Sequence, residues 1–241
     1  MNLVLLAAGV GSRFKGKFDN KILLKINKKL RIFDIINNSF SNAKIKKKII
    51  VIGHNAKILK KSLLSKNLVF IYNKYFIKRD MLHTLIMGLK ISNEDTIISY
   101  SDIIYSKQLV EKIIRKKSKD ILLPSKTNWK KIWKIRGKLK NNDAESLKFD
   151  KDFNLIEIGK KIDENTKGQF MGLLYVPKNK IQPILKIYKK IKIKKMQTTG
   201  FLENLIKNKI VIKVFPNNEP WYEFDDEEDL NNFKKCDDKF F

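Results

Sequence analysis

The sequence predicts an α/β fold, a mostly parallel sheet flanked by helices, with a β-rich insertion in its second half. Three observations carry this. Over the first 125 residues short, nearly continuous apolar runs alternate with segments of helical spacing, the pattern of strands buried on both faces. After Pro124 that rhythm gives way to alternating strands around a polar turn. Hydrophobic residues make up 43% of 241 residues, enough to build a core for one domain of this size.

Taken in order, residues 2–7 (NLVLLA) read as a buried strand that runs into a glycine loop. A helix pattern follows at 32–41, a second strand at 47–53 (KKIIVIG), a helix at 54–64 and a third strand at 68–73 (LVFIYN). Helical spacing returns at 80–91. TIISYSD, residues 96–102, is a fourth strand ending on an acid, and a helix at 108–117 leads to a fifth strand at 120–125 (DILLPS). Residues 145–161 alternate on either side of the polar turn Asp150 to Asn154, the signature of a hairpin. A strand at 170–177, helices at 180–191 and 198–208, a strand at 210–215 and an acid-rich helix start at EEDL complete the chain. No repeat and no linker is visible, so the expectation is one domain over 1–241.

Composition narrows the function classes. A single cysteine, Cys236, excludes an internal disulfide and a cysteine-built zinc site, and two histidines, His54 and His83, argue against a histidine metal cluster. His54 reads as structural, and His83 as a structural or surface residue. The formal charge of +27 invites a nucleic-acid reading, but only five of the 52 basic residues are arginine: Arg13, Arg31, Arg79, Arg115 and Arg136. Readers of a phosphate backbone lean more on arginine's planar fork. The lysines are scattered through every segment beside much isoleucine and asparagine, as codon bias in an AT-rich genome would produce. A solvated lysine surface is therefore expected, and a nucleic-acid-binding protein is the rival of another class. The apolar opening, residues 3–10, lacks a basic lead and is too short for a signal peptide or membrane span. A cytoplasmic setting is the expectation.

The loop LAAGVGSRF, residues 6–14, is the strongest local signal. It fails as a dinucleotide fingerprint, because the third glycine position holds Phe14, and as a Walker loop, because no Gly-Lys-Ser/Thr follows. What remains is a strand, two glycines, Ser12, Arg13 and then Lys21 beyond a basic stretch. Backbone N–H groups freed by glycine can wrap phosphate oxygens, and the two cations can neutralise developing charge.

LAAGVGSRF followed by NKILLKI resembles the L-A-A-G-x-G-[ST]-R…P-K signature of the sugar-phosphate nucleotidyltransferase superfamily, the MobA-like NTP transferases. The resemblance implies a Rossmann-like fold of the nucleotide-diphospho-sugar transferase type. Residues 1–125 would bind the nucleotide, and 126–241 would carry the acceptor-binding hairpin and a C-terminal metal-ligand segment. It implies catalytic roles for Arg13 and Lys21, with Asn20 in place of the usual proline, and nucleotide contacts from Leu6, Ala7, Ala8, Gly9, Gly11 and Ser12. In YSDIIYS, Asp102 stands where the family carries a metal-binding aspartate. IEIGKK places Lys160 at a substrate-phosphate lysine, with Lys161 as its neighbour and competitor. WYEFDDEEDL resembles the family's W-x-E-I-D-x-x-E-D-L ending, with Asp225 as second Mg²⁺ ligand and Glu223 and Asp226 as rivals. RDMLHTL (79–85) resembles the helix start that faces the nucleotide, which implies Thr84 at base or ribose.

NDAESLKFD and the pair Trp129 and Trp133 resemble the phosphocholine and aminophosphonate cytidylyltransferase branch. That branch implies Mg²⁺ as cofactor, CTP as donor and a small phosphorylated or phosphonylated acceptor, with Trp129, Trp133 and Glu223 at the acceptor. The tryptophans serve equally as core or lid packing. The alternative within the class is transfer from UTP, GTP or dTTP to a sugar 1-phosphate. The oligomeric state stays open, a homodimer included.

Overall fold

The computed structural model describes residues 1–14, 20–63, 67–78, 80–137, 144–191 and 195–236. The strands are β1 (Asn2–Ala7), β2 (Lys47–Ile52), β3 (Leu68–Tyr72), β4 (Thr96–Tyr100), β5 (Ile103–Tyr105), β6 (Ile121–Lys126), β7 (Glu145–Phe149), β8 (Leu155–Lys161), β9 (Gln169–Phe170), β10 (Leu173–Val176), β11 (Ile212–Asn217) and β12 (Trp221–Glu223). The helices are α1 (Ile32–Ser39), α2 (Ala56–Ser62), α3 (Met81–Lys90), α4 (Lys107–Arg115), α5 (Trp129–Ile135), α6 (Lys178–Lys190), α7 (Thr198–Lys207) and α8 (Glu227–Lys235).

The central sheet runs β11-β6-β10-β4-β1-β2-β3, with β9 pairing beside β6. β1 pairs in parallel with both β2 and β4, and β11 with β6. All six residues of β1 are buried, and they alternate between two cores. Leu3 and Leu5 face α1 and α4, while Val4 and Leu6 face α3, α6 and α7. A strand covered on both faces has no polar side to show, which is why it reads as one apolar run.

The sequence expectation holds for most elements and is corrected at four places. β10 is antiparallel to both β4 and β6, so the sheet is parallel only on either side of it. The expected strand at 170–177 is broken at Met171 and Gly172, where Gly172 takes φ +71° and lies against the Tyr100 ring. The fourth strand stops at Tyr100. The chain then bends through Ser101 and Asp102 into β5, which leaves the sheet to pair with β12. Residues 129–135 form helix α5, an element the strand-and-helix reading had not placed.

Because β1 lies between β2 and β4, the strand order reverses direction beside it, and the carboxyl ends of β1 and β4 open a crevice. The glycine loop and Asp102 both start from that edge. The β7–β8 hairpin packs against α7 beyond it. Among the described residues no helix is long and apolar enough to cross a membrane.

Candidate active site

Lys21 reaches the crevice on a single 3-10 turn, Lys21–Leu23. Asn20 builds that turn from both ends of its amide: its Oδ1 accepts from the Ile22 N–H at 3.2 Å, and its Nδ2 donates to the Ala7 carbonyl at 2.9 Å. Asn20 has φ −169°, which a proline ring could not adopt. This is the physical sense of the asparagine where the resembling family has proline: the side chain ties the lysine turn to the end of β1. The Lys21 stem then lies over Gly11, whose φ is +67°.

The Lys21 ammonium stands 3.0 Å from Asp102 Oδ2 and 3.8 Å from Asp225 Oδ1, so one partly buried cation brings together carboxylates 123 positions apart in the chain. Arg13 holds Asp225 Oδ1 at 2.9 Å from a largely exposed position at the mouth. The other oxygen of Asp225 belongs to Arg136, the residue that caps the C-terminal end of α5. Arg136 is fully buried. It donates from Nε and Nη2 to the two oxygens of Asp229 at 2.8 and 2.9 Å, from Nη1 to Glu223 at 2.8 Å, and from Nη2 to Asp225 at 2.8 Å. Its guanidinium centre also sits 5.3 Å from the Trp133 ring centroid. The Phe224 N–H donates to the Asp102 carbonyl at 2.8 Å, which joins the C-terminal segment to the end of β4.

Three cations thus face four carboxylates, all but Arg13 largely shielded from water. Burial works against ionised Asp225, but Arg136, Lys21 and Arg13 outweigh it and hold the carboxyl below its usual range. For Glu223 burial dominates, reinforced by Asp225, and pushes it up to about 8 despite Arg136. Burial opposes the charge on Arg136 too, and Glu223, Asp229 and Asp225 more than reverse that.

Two adjoining cavities meet at this cluster. One, of about 270 Å³, is walled by Leu6, Ala8, Gly9, Gly11, Ser12 and Arg13 on the loop side, and by Lys21, Asp102 and Thr84 opposite. The other, of about 310 Å³, lies toward the hairpin and is lined by Trp133, Glu223, Asp225, Tyr100 and Glu145 among others. Arg13, Asp80 and Met81 border both.

Most of the expected site residues therefore converge. Ala7 is buried behind the loop, and its carbonyl anchors Asn20. Thr84 is buried, and its hydroxyl accepts from Asn73 at 3.1 Å. Trp133 faces the second cavity and donates its indole N–H to Gln169. Trp129 does not line it, packing instead with Trp133 and Ala144. Lys160 stands apart from both cavities. It is exposed on β8, with its ammonium 2.6 Å from Glu157 and 3.9 Å from Glu203. Arg79 and Asp143 lie outside the described residues. Arg136, Asp80 and Glu145 were missed from the sequence, although Arg136 carried a signal, being one of few arginines among many lysines.

The cluster can be asked whether it suits Mg²⁺. Among the described residues no three His, Cys, Asp or Glu side chains gather as a ready-made metal cluster. However, Asp102 Oδ1 is buried with no hydrogen-bond partner, and Asp225 faces the same ammonium. A hard cation that uses one or two carboxylates and completes its shell from phosphates fits such a donor set.

The family model for the MobA-like NTP transferase domain matches residues 3–152. The chain belongs to this family. As a MobA-like transferase it is a nucleotidyltransferase, and its glycine loop, lysine turn and strand-end acid all fall inside the matched region. A curated relative, CTP:phosphoglutamine cytidylyltransferase from Campylobacter jejuni, is 29% identical over 250 aligned residues, covering 95% of this chain and 98% of its own. Two solved structures share the fold. CTP:phosphocholine cytidylyltransferase from Streptococcus pneumoniae superposes with a TM-score of 0.73 at 13% identity, covering 97% of each chain. The inositol-1-phosphate CTP transferase from T. maritima does so with a TM-score of 0.76 at 14% identity, covering 98% of this chain and 96% of that one.

Proposed function

We propose that this transferase moves the cytidylyl group of CTP onto a small phosphorylated or phosphonylated acceptor and releases pyrophosphate. The observation that carries the reading is the Lys21 ammonium held between Asp102 and Asp225 beside the glycine loop. The cytidylyltransferase relative supports CTP as the donor.

In the reaction an acceptor phosphate oxygen attacks the α-phosphorus, the bond from that phosphorus to the bridging oxygen breaks, and pyrophosphate leaves with the electron pair. A phosphate monoester has its second pKa at about 6, so the nucleophile is already ionised and no general base is required. Catalysis then rests on position and charge. The loop from Leu6 to Ser12 cradles the triphosphate with its backbone N–H groups. Lys21 and Arg13 neutralise charge that grows on the phosphates. Asp102 and Asp225 would hold Mg²⁺, which when bound supplies further charge neutralisation on the triphosphate. Arg13 borders both cavities and so can follow charge from the donor to the acceptor side.

The test is thermal unfolding with Mg²⁺ and each of CTP, UTP, GTP and ATP, followed by pyrophosphate release with a panel of phosphorylated acceptors. Ligand at about 100 times its Kd adds about 2.7 kcal/mol. Stabilisation by CTP alone is the expected result. A response to a different nucleotide alone would overturn the donor, and no response to any would overturn the enzymatic reading of the crevice.

A further inference from the structure

The central sheet has two ends, and they are finished differently. At one end the chain closes the sheet itself. The turn of the β7–β8 hairpin lies along β11, where the Val214 N–H donates to the Phe153 carbonyl at 2.7 Å, Lys213 bridges to Asn154 and its ammonium reaches the Asp152 carbonyl at 3.1 Å. At the other end β3 pairs with β2, and among the described residues no strand pairs with its outer edge. The ladder shows which groups that edge presents. The Asn73 N–H donates to the Ile52 carbonyl at 2.7 Å and the Lys48 N–H to the Asn67 carbonyl at 3.4 Å, so positions 67, 69, 71 and 73 turn their backbone groups toward β2. Alternation then directs the N–H and C=O groups of Leu68, Phe70 and Tyr72 outward. Monomeric proteins blunt such an edge with charge, above all lysine, with proline or with a bulge. In a chain where 32% of residues are charged, LVFIYN at 68–73 has no charge and no proline, and its register with β2 is unbroken. Val69 and Tyr72 on this strand are exposed, at 36% and 53%, and exposed Tyr75 and Ile77 follow them in the chain.

We propose that this edge is the interface for a second copy of the chain, the two β3 strands pairing antiparallel across a two-fold axis at Phe70. In that register Phe70 faces the partner's Phe70, Leu68 the partner's Tyr72, and Val69 the partner's Ile71. The outward groups of Leu68, Phe70 and Tyr72 are those that a two-fold axis through residue 70 brings into hydrogen-bonded pairs, about six bonds in all. Aromatic, aliphatic and β-branched side chains meet at every position, a favourable set of cross-strand pairs. Self-complementarity decides for a copy of this chain over an unrelated strand. Two chains of +27 repel each other at long range, and between 68 and 73 they meet with no charge set against charge. The contact is isologous, so it closes at two copies, and the hairpin over β11 stops growth at the far ends. Because the strands run antiparallel across the axis, the two glycine-loop crevices open on opposite sides of the joined sheet.

Sedimentation velocity of the full chain across micromolar concentrations, at low and at high salt, reads the association. A monomer–dimer equilibrium is expected, tightening as salt screens the like charges. Tyr72→Lys places an ammonium at each end of the paired edge and should raise the dimer dissociation constant at least about tenfold, with thermal unfolding showing that the variant is folded. If it fails to fold, Val69→Lys, at the other exposed side chain of the strand, takes its place. The register is read by disulfide trapping under mild oxidation in a Cys236→Ser background. Phe70→Cys brings two thiols together at a Cα separation of about 5.5 Å, within disulfide reach. Tyr72→Cys keeps its two thiols about 14 Å apart along the strands, out of reach. A covalent dimer from the first and none from the second is the expected result. A monomer at every concentration and salt overturns the inference, as does a dimer that the lysine variant leaves unchanged. Absent trapping in folded Phe70→Cys, or equal trapping at both positions, overturns it too. If Phe70→Cys fails to fold, the lysine comparison decides alone.

Discussion

Arg136 is the residue whose removal should reveal most about how the crevice is held. It is fully buried and makes four hydrogen bonds to Glu223, Asp225 and Asp229. In Arg136→Met three carboxylates would face one another; among the described residues Arg13 and Lys21 reach Asp225 Oδ1, and Lys21 is shared with Asp102. Removing one partner of a buried ion pair costs about 3–5 kcal/mol, because the abandoned charges stay desolvated. For a chain of this length each kcal/mol moves Tm by about 2–4 °C, so a fall of roughly 6–20 °C is expected. Arg136→Lys should fall between, since one ammonium cannot reproduce a fork that spans three acids. The pH dependence has a definite sign. Asp225 is held below its ordinary value of 3.8, so its contribution is present at neutral pH and lost as pH falls through that lowered pKa. The gap between variant and parent should be widest near neutrality and should narrow on acidification. Urea unfolding at neutral and acid pH reads both quantities. A variant within about 1 kcal/mol of the parent at neutral pH would refute the reasoning, because a buried fork cannot be removed so cheaply.

Further outcomes follow from the same geometry. Lys21→Met should lower turnover by about 100-fold or more, the scale seen when one donor to a developing charge is lost, as read by pyrophosphate release. Asn20→Ala should cost about 1–3 kcal/mol in urea unfolding, since it leaves the buried Ala7 carbonyl without its donor. Lys126 is buried and its pKa falls from 10.5 to about 8, chiefly through burial and less through Lys131, against the pull of Glu219. The unfolded chain therefore holds this proton more tightly, and stability should rise as pH climbs from about 8 toward 10.5. Lys126→Met should flatten that rise in unfolding measured across the range.

The layout of the sheet was legible because strands buried on both faces leave continuous apolar runs, as β1, β4 and most of β2 do, while the edge strand β3 is an apolar run that is only partly buried. The direction of β10 was not. LLYV is buried on both sides as a parallel strand would be, and side-chain pattern does not record which way a strand points. β5 and β12 have three residues each, too few for any period to emerge. At the site, Lys21, Asp102, Asp225 and Glu223 were expected from the resemblance to the family's motifs, while the hub that joins the acids was not, since Arg136 lies in a lysine-rich stretch without a pattern. In hindsight the rarity of arginine was informative. Arg13 grips Asp225, Arg31 binds both oxygens of Asp34 at 2.9 Å, and Arg136 serves three acids. At Arg31 and Arg136 the planar fork reaches two or more carboxylate oxygens, which a lysine ammonium could not reproduce.

The antiparallel strand has a consequence for how the chain is made. β10 occupies the slot between β4 and β6, so the two cannot be joined until residue 176 is available, well after every other strand of the nucleotide-side half has been synthesised. A nascent chain leaving the ribosome would present the free edges of β4 and β6 while the hairpin is still being translated, and sheet closure must await a distant segment. Cleavage between β6 and β10 would separate these partners, and a fragment ending at residue 152 would include the glycine loop, Lys21 and Asp102 yet lack the strand that closes the sheet around them.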